Sequence, residues 1–268
     1  MKVDQYIKAI VQGLEVYFGF FTLADSICHH GGNIKWITPK PGFKGPAIVY
    51  KVFLPDAAEK EIKGLVPDLR NGKVPSLWVI SPLSTPGNLA DILISKGFRD
   101  LRNSERPEYG MAMDFTVPFD LPMPDPQVAI RRVTSVSDFK IWIDIVNIAL
   151  HGWDLLTAEH YTIWFERKEF AFYLGYIGEI PVSTVAIIQD GKNASLEFVS
   201  TLKEYRNRGA ACAVCLKAMR DLQVNGVEIV TLRSSFEAHK LYEKLGFRPY
   251  YEQRLLSFQK AEQEEAAF

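Results

Sequence analysis

Helical and alternating patterns of apolar residues follow each other along the second half of the chain. Two segments with helical spacing, 135–150 and 157–170, start near Ser, Asp or Thr residues that can cap a helix. Three segments with alternating apolar and polar positions come next, at 170–178, 181–191 and 194–201. A helix over roughly 207–224, a buried strand at 227–232, a shorter helix at 235–247 and a final strand at 249–258 complete the order α-α-β-β-β-α-β-α-β. This order predicts a mixed α/β fold rather than a regular βαβ alternation.

The first half shows a related order. It reads strand, strand, helix, strand, helix, strand over the segments 34–38, 47–54, 56–69, 76–81, 86–98 and 110–117. The last helix of each half ends in the same Gly-Phe-Arg tripeptide, at residues 97–99 and 246–248. The agreement suggests a tandem duplication, although helices that end in Gly and an aromatic residue also arise independently.

A proline-rich segment separates the two halves. Four prolines fall within residues 116–127, where they disfavour both a helix and a central strand. We therefore predict a first domain at 1–117, a linker at 118–127 and a second domain at 128–268.

Composition and charge exclude some classes of partner. A chain of 268 residues that is 47% hydrophobic can bury a large core. The formal net charge of -1 provides no general attraction for nucleic acid or an anionic membrane, so neither is expected as a partner. Lys2, Asp4, Lys8 and Glu15 interrupt the apolar N-terminal segment, which we interpret as an amphipathic helix rather than a signal sequence or a membrane span.

The three cysteines, Cys28, Cys212 and Cys215, are too few and too unevenly spaced for a disulfide framework, so we expect a cytoplasmic protein. Cys212 and Cys215 form a Cys-x-x-Cys pair inside a predicted helix, where they favour packing as small hydrophobic side chains. A redox pair normally lies at the helix N-terminus, and zinc would need a second pair at ligand spacing. No metal site is expected.

The loop before that helix has the composition of an anion site. A strand ends near Thr201, and Gly209 stands where the helix begins. The first turn of a helix presents unpaired N–H groups and the positive end of the helix dipole. Gly209 and the small Ala211 let the backbone approach a phosphate, while Arg206 and Arg208 add positive charge. The same residues also fit an ordinary solvated loop, because short glycine motifs are common.

Two motifs in the correct order resemble the GNAT superfamily of N-acetyltransferases. The first runs from Val199 through Tyr205, Arg206 and Gly209 to Ala211, and the second is formed by Ser235, Ala238, Leu241, Tyr242, Gly246 and Phe247. The resemblance covers roughly residues 128–258 and implies a mixed, largely antiparallel sheet flanked by helices. Ser235 departs from the Asn that is frequent in the family, which puts one polar contact in doubt.

The resemblance implies acetyl-coenzyme A as co-substrate. The backbone amides of Arg208, Gly209, Ala210 and Ala211 would hold its pyrophosphate, with Arg206, Thr201 and Ser235 also at the cofactor site. Val199 would present main-chain groups to the pantetheine arm. Tyr242 would protonate the leaving thiolate, which is chemically reasonable for a phenol beside a thiol with a pKa of about 8.5; without the motif, Tyr242 would be interpreted as a core aromatic residue.

The acceptor is expected to be a primary amine of a small molecule or a peptide, and it must react as the neutral amine. Glu197 is the candidate base, since strict alternation along the strand places it on the same face as Val199. A solvent-facing Glu is the alternative. His151, Trp153 and Asp154, between the two helices that follow the linker, are candidate acceptor-binding residues, and Trp153 also fits a packing role.

The first half lacks the Arg-x-x-Gly-x-Ala motif and has Leu93 at the position of Tyr242. It resembles the degenerate partner domain of tandem GNAT proteins, which implies two GNAT-like domains of which only the second is catalytic. Two alternatives differ from an N-acetyltransferase: a protein that binds acyl-coenzyme A without turnover, and aminoacyl transfer from a charged transfer RNA, which the net charge and the intact pyrophosphate loop disfavour. The oligomeric state cannot be inferred from the sequence.

Overall fold

The protein is described by a computed structural model that covers residues 2–31, 33–102 and 105–259. The helices are α1 (Lys2–Ala24), α2 (Ala58–Arg70), α3 (Leu89–Ser95), α4 (Val136–Val146), α5 (Ala158–Phe165), α6 (Ala210–Val224) and α7 (His239–Lys244). A π-helical turn (Asn147–His151) extends α4, and a 3-10 turn (Lys203–Tyr205) precedes α6.

The strands of the first half are β1 (Ser26–Gly31), β2 (Ile34–Pro39), β3 (Ile48–Val52), β4 (Leu77–Ile80), β5 (Phe98–Asp100) and β6 (Tyr109–Asp114). Those of the second half are β7 (Val128–Arg132), β8 (Phe170–Ile177), β9 (Ile180–Asp190), β10 (Asn193–Thr201), β11 (Ile229–Ser234), β12 (Arg248–Glu252) and β13 (Arg254–Phe258). The predicted elements are present, and β1, β5 and β7 are additional to them.

The strands form two largely antiparallel sheets with helices packed on them, which confirms the predicted fold class. The first sheet has the order β1-β2-β3-β4-β13-β5, and the second has the order β7-β8-β9-β10-β11-β6-β12. Each sheet has a parallel pair of strands at its centre, β3 with β4 and β10 with β11. Apart from β7, the two orders correspond strand by strand.

The two halves exchange one strand each. Strand β6 comes from the first half but pairs with β11 and β12 of the second sheet. Strand β13 comes from the second half and pairs with β4 and β5 of the first sheet. The predicted division at residues 118–127 therefore does not coincide with the division into sheets. The prediction of one continuous strand over 249–258 is wrong, because the chain passes from one sheet to the other at Gln253.

Helix α1 lies between the two sheets. Its apolar side chains Leu14, Phe18 and Phe21 belong to one core that includes side chains of both sheets, as well as α4 and α5. At Gly13 the helix is so close to the second sheet that a Cβ atom would lie 2.9 Å from the Thr231 hydroxyl oxygen. This close packing joins the two halves into one core.

Among the described residues, α1 is the one helix that is long and apolar enough to cross a bilayer. The mean hydropathy of its most apolar 18-residue window is 1.3, and 33% of that window is buried here. Core helices and signal sequences have the same composition, so this property by itself is weak evidence for a membrane segment.

Candidate functional site

Strands β10 and β11 separate along their length and leave a gap in the middle of the second sheet. Their parallel pairing extends only from Asn193 to Ser195 on β10, opposite Ile229 to Thr231 on β11. Beyond Ser195, a bulge between Glu197 and Ser200 interrupts the pairing of β10 with β9 on its other side. Within the bulge, Phe198 has a φ of 53°, an unfavourable left-handed conformation for an aromatic residue. The two strands therefore diverge where β10 is bent.

Two hydroxyl groups of β9 stabilise the bulge. The Thr184 hydroxyl donates to the Phe198 carbonyl oxygen at 2.8 Å, and the Ser183 hydroxyl donates to the Ser200 carbonyl oxygen at 2.8 Å. Both hydroxyls are buried, and their oxygens also lie 2.6 and 2.9 Å from the hydroxyls of Ser200 and Thr201. The strained conformation at Phe198 is thus supported by a buried polar network.

The bulge changes which face of the sheet each β10 side chain occupies. Val199 packs against the core on the α6 face, whereas the neighbouring Phe198 is part of the core on the α1 and α4 face. Glu197 pairs with Arg233, whose guanidinium lies 4.6 Å from the ring centroid of Tyr17 in α1. The prediction that Glu197 and Val199 share a face is therefore wrong, because the extra residue of a bulge breaks the alternation.

The N-terminus of α6 opens toward the gap. Gly209 caps the helix with a φ of 75°, a left-handed conformation that glycine adopts without strain. The Arg206 guanidinium donates to the carbonyl oxygens of Thr201 at 3.1 Å and Ala149 at 3.2 Å, so this side chain ties the loop to β10 and to the π-helical turn. The Arg208 guanidinium lies 5.4 Å from the Tyr205 ring centroid and is exposed. The first-turn amides of α6 remain directed along the helix axis, as an anion site requires.

The gap, the loop and the N-terminus of α6 enclose a cavity of about 730 Å³. Eight of the predicted site residues line it, namely Val199, Thr201, Arg206, Gly209, Ala210, Ala211, Ser235 and Tyr242. Five others do not line it, namely Glu197, Arg208, His151, Trp153 and Asp154.

Tyr242 on α7 forms the inner wall of this cavity. The residue is 5% exposed, and its ring packs edge-on against Phe247 with centroids 6.0 Å apart. Burial, with smaller contributions from Cys215 and Glu197, raises the pKa of the Tyr242 hydroxyl well above its usual value. The phenol therefore keeps its proton throughout the neutral pH range.

Glu197 is buried beside the gap. Arg233 donates to its Oε2 at 2.7 Å, and the two residues lie two positions beyond the last paired residues of β10 and β11. Burial raises the pKa of the Glu197 carboxyl group, and Arg233 partly opposes this shift. The ion pair joins the two strands where their backbone pairing ends.

The three predicted acceptor-binding residues lie at the end of the π-helical turn, where His151 is its last residue, and just after it. His151 is partly buried, its Nε2 atom has no hydrogen-bond partner in the described structure, and burial lowers its pKa. Trp153 is 47% exposed, and Lys44 of the first half lies 5.4 Å from its ring centroid. Asp154 is exposed. The neighbouring Ala149 and Leu150 are the residues of this segment that reach the cavity.

Arg106, Glu237 and Asp125 are among the residues at the site that the sequence analysis missed. Arg106 and Glu237 form an ion pair at the cavity wall, and they come from different halves of the chain. Asp125, in the proline-rich linker, lies beside Gly209. No local motif marks Arg106 or Asp125, because their proximity to the site depends on how the two halves pack, whereas Glu237 lies within the second motif.

The Cys-x-x-Cys pair lies within α6 as predicted. Cys215 is fully buried, and burial raises the pKa of its thiol, whereas Cys212 is partly buried and lines the cavity. Both are free thiols. Across residues 2–31, 33–102 and 105–259, no group of three or more His, Cys, Asp or Glu side chains is arranged to hold a metal ion.

Comparisons with known proteins agree with this geometry. The model of the acetyltransferase (GNAT) family matches residues 129–247, which include every part of the cavity except Arg106. A search of curated proteins gives no significant match.

Many solved structures share the fold at low sequence identity. A GCN5-related N-acetyltransferase from Kribbella flavida has a TM-score of 0.66 at 16% identity, over 95% of this chain and 94% of its own. A GCN5-related N-acetyltransferase from Sphaerobacter thermophilus has a TM-score of 0.60 at 16% identity, over 84% and 80%. An acetyltransferase of the GNAT family from Colwellia psychrerythraea has a TM-score of 0.57 at 14% identity, over 90% and 88%. The chain thus has a GNAT-type fold over nearly its whole length, and its segment 129–247 matches the model of the acetyltransferase (GNAT) family.

Proposed function

We propose that the protein is an N-acetyltransferase that moves an acetyl group from acetyl-coenzyme A to a primary amine. One observation supports this most strongly: the gap between β10 and β11, the N-terminus of α6 and the Tyr242 side chain meet in a single cavity. An anion-binding helix end and a proton donor on the walls of one cavity are what a thioester donor with a pyrophosphate requires.

The residues fit the donor along its length. Gly209 has no Cβ, so the backbone at the start of α6 is accessible to phosphate oxygens. Where the strands have separated, the main-chain groups of Val199 are available to a pantetheine arm. Ser235, Leu241 and Tyr242 line the same cavity.

In the proposed reaction the amine nitrogen attacks the thioester carbonyl carbon directly. As the carbon–sulfur bond breaks, the Tyr242 hydroxyl donates its proton to the sulfur, and the proton that the nitrogen loses as the amide forms returns to the phenolate through solvent. Burial raises the pKa of the Tyr242 hydroxyl, and the same low polarity raises the pKa of a thiol in this cavity. The two pKa values therefore rise together, and the phenol can still protonate the thiolate. The acceptor must first lose a proton, which at neutral pH costs roughly 4 to 5 kcal/mol for an ordinary amine.

Glu197 is the proposed base, acting through water because its side chain is not in the cavity wall. We expect Glu197→Gln to lower kcat by about 10²-fold and to remove the acidic limb of the pH–rate profile. The sign follows from its role: a base with a raised pKa is inactive when protonated, so activity rises with pH through that pKa. Because Arg233 loses its charged partner, the midpoint of thermal unfolding should also fall.

The matched control is Glu228→Gln, which removes a partly exposed carboxylate paired with Lys192. It should change neither kcat nor the pH profile. If Glu197→Gln lowers the unfolding midpoint but leaves kcat and the pH profile intact, Glu197 holds the strands together and is not the base.

Cys212 provides a chemical test of donor binding without any acceptor. Its thiol lines the cavity, so acetyl-coenzyme A should slow alkylation of Cys212 by iodoacetamide about 10-fold at a concentration ten times Kd. Cys28, which lies outside the cavity, is the internal control, and peptide mass spectrometry distinguishes the two. Equal rates at Cys212 with and without the donor would contradict binding in this cavity.

The first half is proposed to be a catalytically silent GNAT-like domain. The place that corresponds to the gap is closed by the segment after β4: beyond β3, the Leu54 amide donates to the Thr85 carbonyl oxygen at 2.9 Å, and the Thr85 amide donates to the Val52 carbonyl oxygen at 3.2 Å. Leu93, at the position that corresponds to Tyr242, is fully buried. Because this half has no open gap and no proton donor, its proposed role is structural. It also contributes Arg106 to the cavity wall.

A further inference from the structure

The Asp125 carboxylate lies against the N-terminus of α6. Its Oδ2 atom is 3.4 Å, and its Cβ atom 3.5 Å, from the position that a Cβ on Gly209 would take. A negative charge is therefore held beside the loop to which the proposed function assigns a pyrophosphate. Its attraction to the helix dipole is favourable in the free protein.

The position of Asp125 is fixed by the chain around it. The Gln127 amide donates to Asp125 Oδ1 at 2.9 Å, and the Val128 amide donates to the Asp125 carbonyl oxygen at 3.1 Å. A few residues earlier, Arg220 of α6 donates to the Pro122 carbonyl oxygen at 3.0 Å. These contacts hold the linker along α6 and keep the carboxylate at the start of that helix.

The local turn does not need the charge. Only Oδ1 is used by the turn, as a hydrogen-bond acceptor for Gln127, and an Asn side chain has an equivalent oxygen. Oδ2 faces Gly209. The negative charge at this position thus has no structural partner in the turn, and it repels any anion that binds to the first turn of α6.

We propose that Asp125 limits the affinity for the donor: its negative charge, held beside the first turn of α6, repels the pyrophosphate and so weakens acetyl-coenzyme A binding. This inference rests on the proposed function. Since Asp125 belongs to the linker between the two halves, the linker contributes to setting the affinity for the donor. The affinity for the donor is then set partly by a residue that takes no part in the chemistry.

The test compares the full-length protein with Asp125→Asn by calorimetric titration with acetyl-coenzyme A. We expect Kd to fall roughly 3- to 10-fold in the variant, because the repulsive charge is lost while the turn is kept. The difference should shrink when NaCl is raised from about 0.05 M to about 0.5 M, since salt screens the repulsion. With the amine acceptor that gives the highest rate, KM for the donor should fall while kcat stays the same.

Two controls separate charge near the helix from other effects. Asp120→Asn removes the same charge from an exposed position in the same linker and should leave Kd unchanged. Acetyl-pantetheine, which has no phosphate, should bind the wild-type protein and the Asp125→Asn variant equally. An unchanged or weaker acetyl-coenzyme A affinity in Asp125→Asn would overturn the inference, whereas no binding to the wild-type protein would overturn the proposed function itself.

Discussion

Gly209→Glu is expected to abolish acetyl-coenzyme A binding. The substitution has three effects in one place: it forces a left-handed φ of 75° on a residue with a side chain, it crowds the Asp125 carboxylate, and it adds a negative charge at the helix N-terminus. Equilibrium dialysis with radiolabelled acetyl-coenzyme A should show at least a roughly 100-fold rise in Kd, which corresponds to about 2.7 kcal/mol.

Gly226→Glu is the matched control for this variant. Gly226 follows the other end of α6 and has a φ of 72°, and a Cβ at this position would meet no other atom within 4 Å. The control therefore carries the same backbone strain and the same added charge, but away from the cavity. Donor binding should survive in Gly226→Glu, and loss of binding in both variants would point to a general loss of folding rather than to the loop.

Tyr242→Phe is expected to lower kcat by about 10²-fold with little change in the KM for acetyl-coenzyme A. The ring stays in place against Phe247, so only the proton donor is removed. Coenzyme A release, followed with a thiol reagent, can be measured against small amines, amino acids and lysine-containing peptides. The variant is then assayed with the acceptor that gives the highest rate for the wild-type protein.

The control for Tyr242→Phe is Tyr173→Phe. Tyr173 is buried in the same core on the α6 face, and its hydroxyl donates to Asp221 at 2.7 Å. Removing that hydroxyl should lower stability but leave kcat unchanged. If Tyr242→Phe retains full kcat, the proton reaches the sulfur from another group and Tyr242 has only a packing role.

Much of the site could be predicted because it depends on short local patterns. Gly209 is required where the chain turns into α6 with a positive φ, and the few residues around it are enough to predict that turn. Tyr242 lies at a fixed distance from Gly246 within the second motif. The same locality explains why the bounds of β10 and α6 agree closely with their apolar periodicity.

Other features could not be predicted, since they arise from contacts between distant parts of the chain. The face occupied by Glu197 depends on a bulge that is stabilised by hydroxyls of the neighbouring strand, and periodicity does not reveal a bulge. The exchange of β6 and β13 between sheets reflects pairing over more than 100 positions, such as Leu256 with Trp78. Arg106 and Asp125 reach the site only through that packing.

The measurement that tests the account most directly is a calorimetric titration of the wild-type protein with acetyl-coenzyme A, with the stoichiometry as the main readout. We predict one site per chain with a micromolar Kd, about -8 kcal/mol, because among the described strands only those of the second sheet leave an open gap. Two sites per chain would contradict the silent role of the first half, and no binding at all would contradict the proposed function.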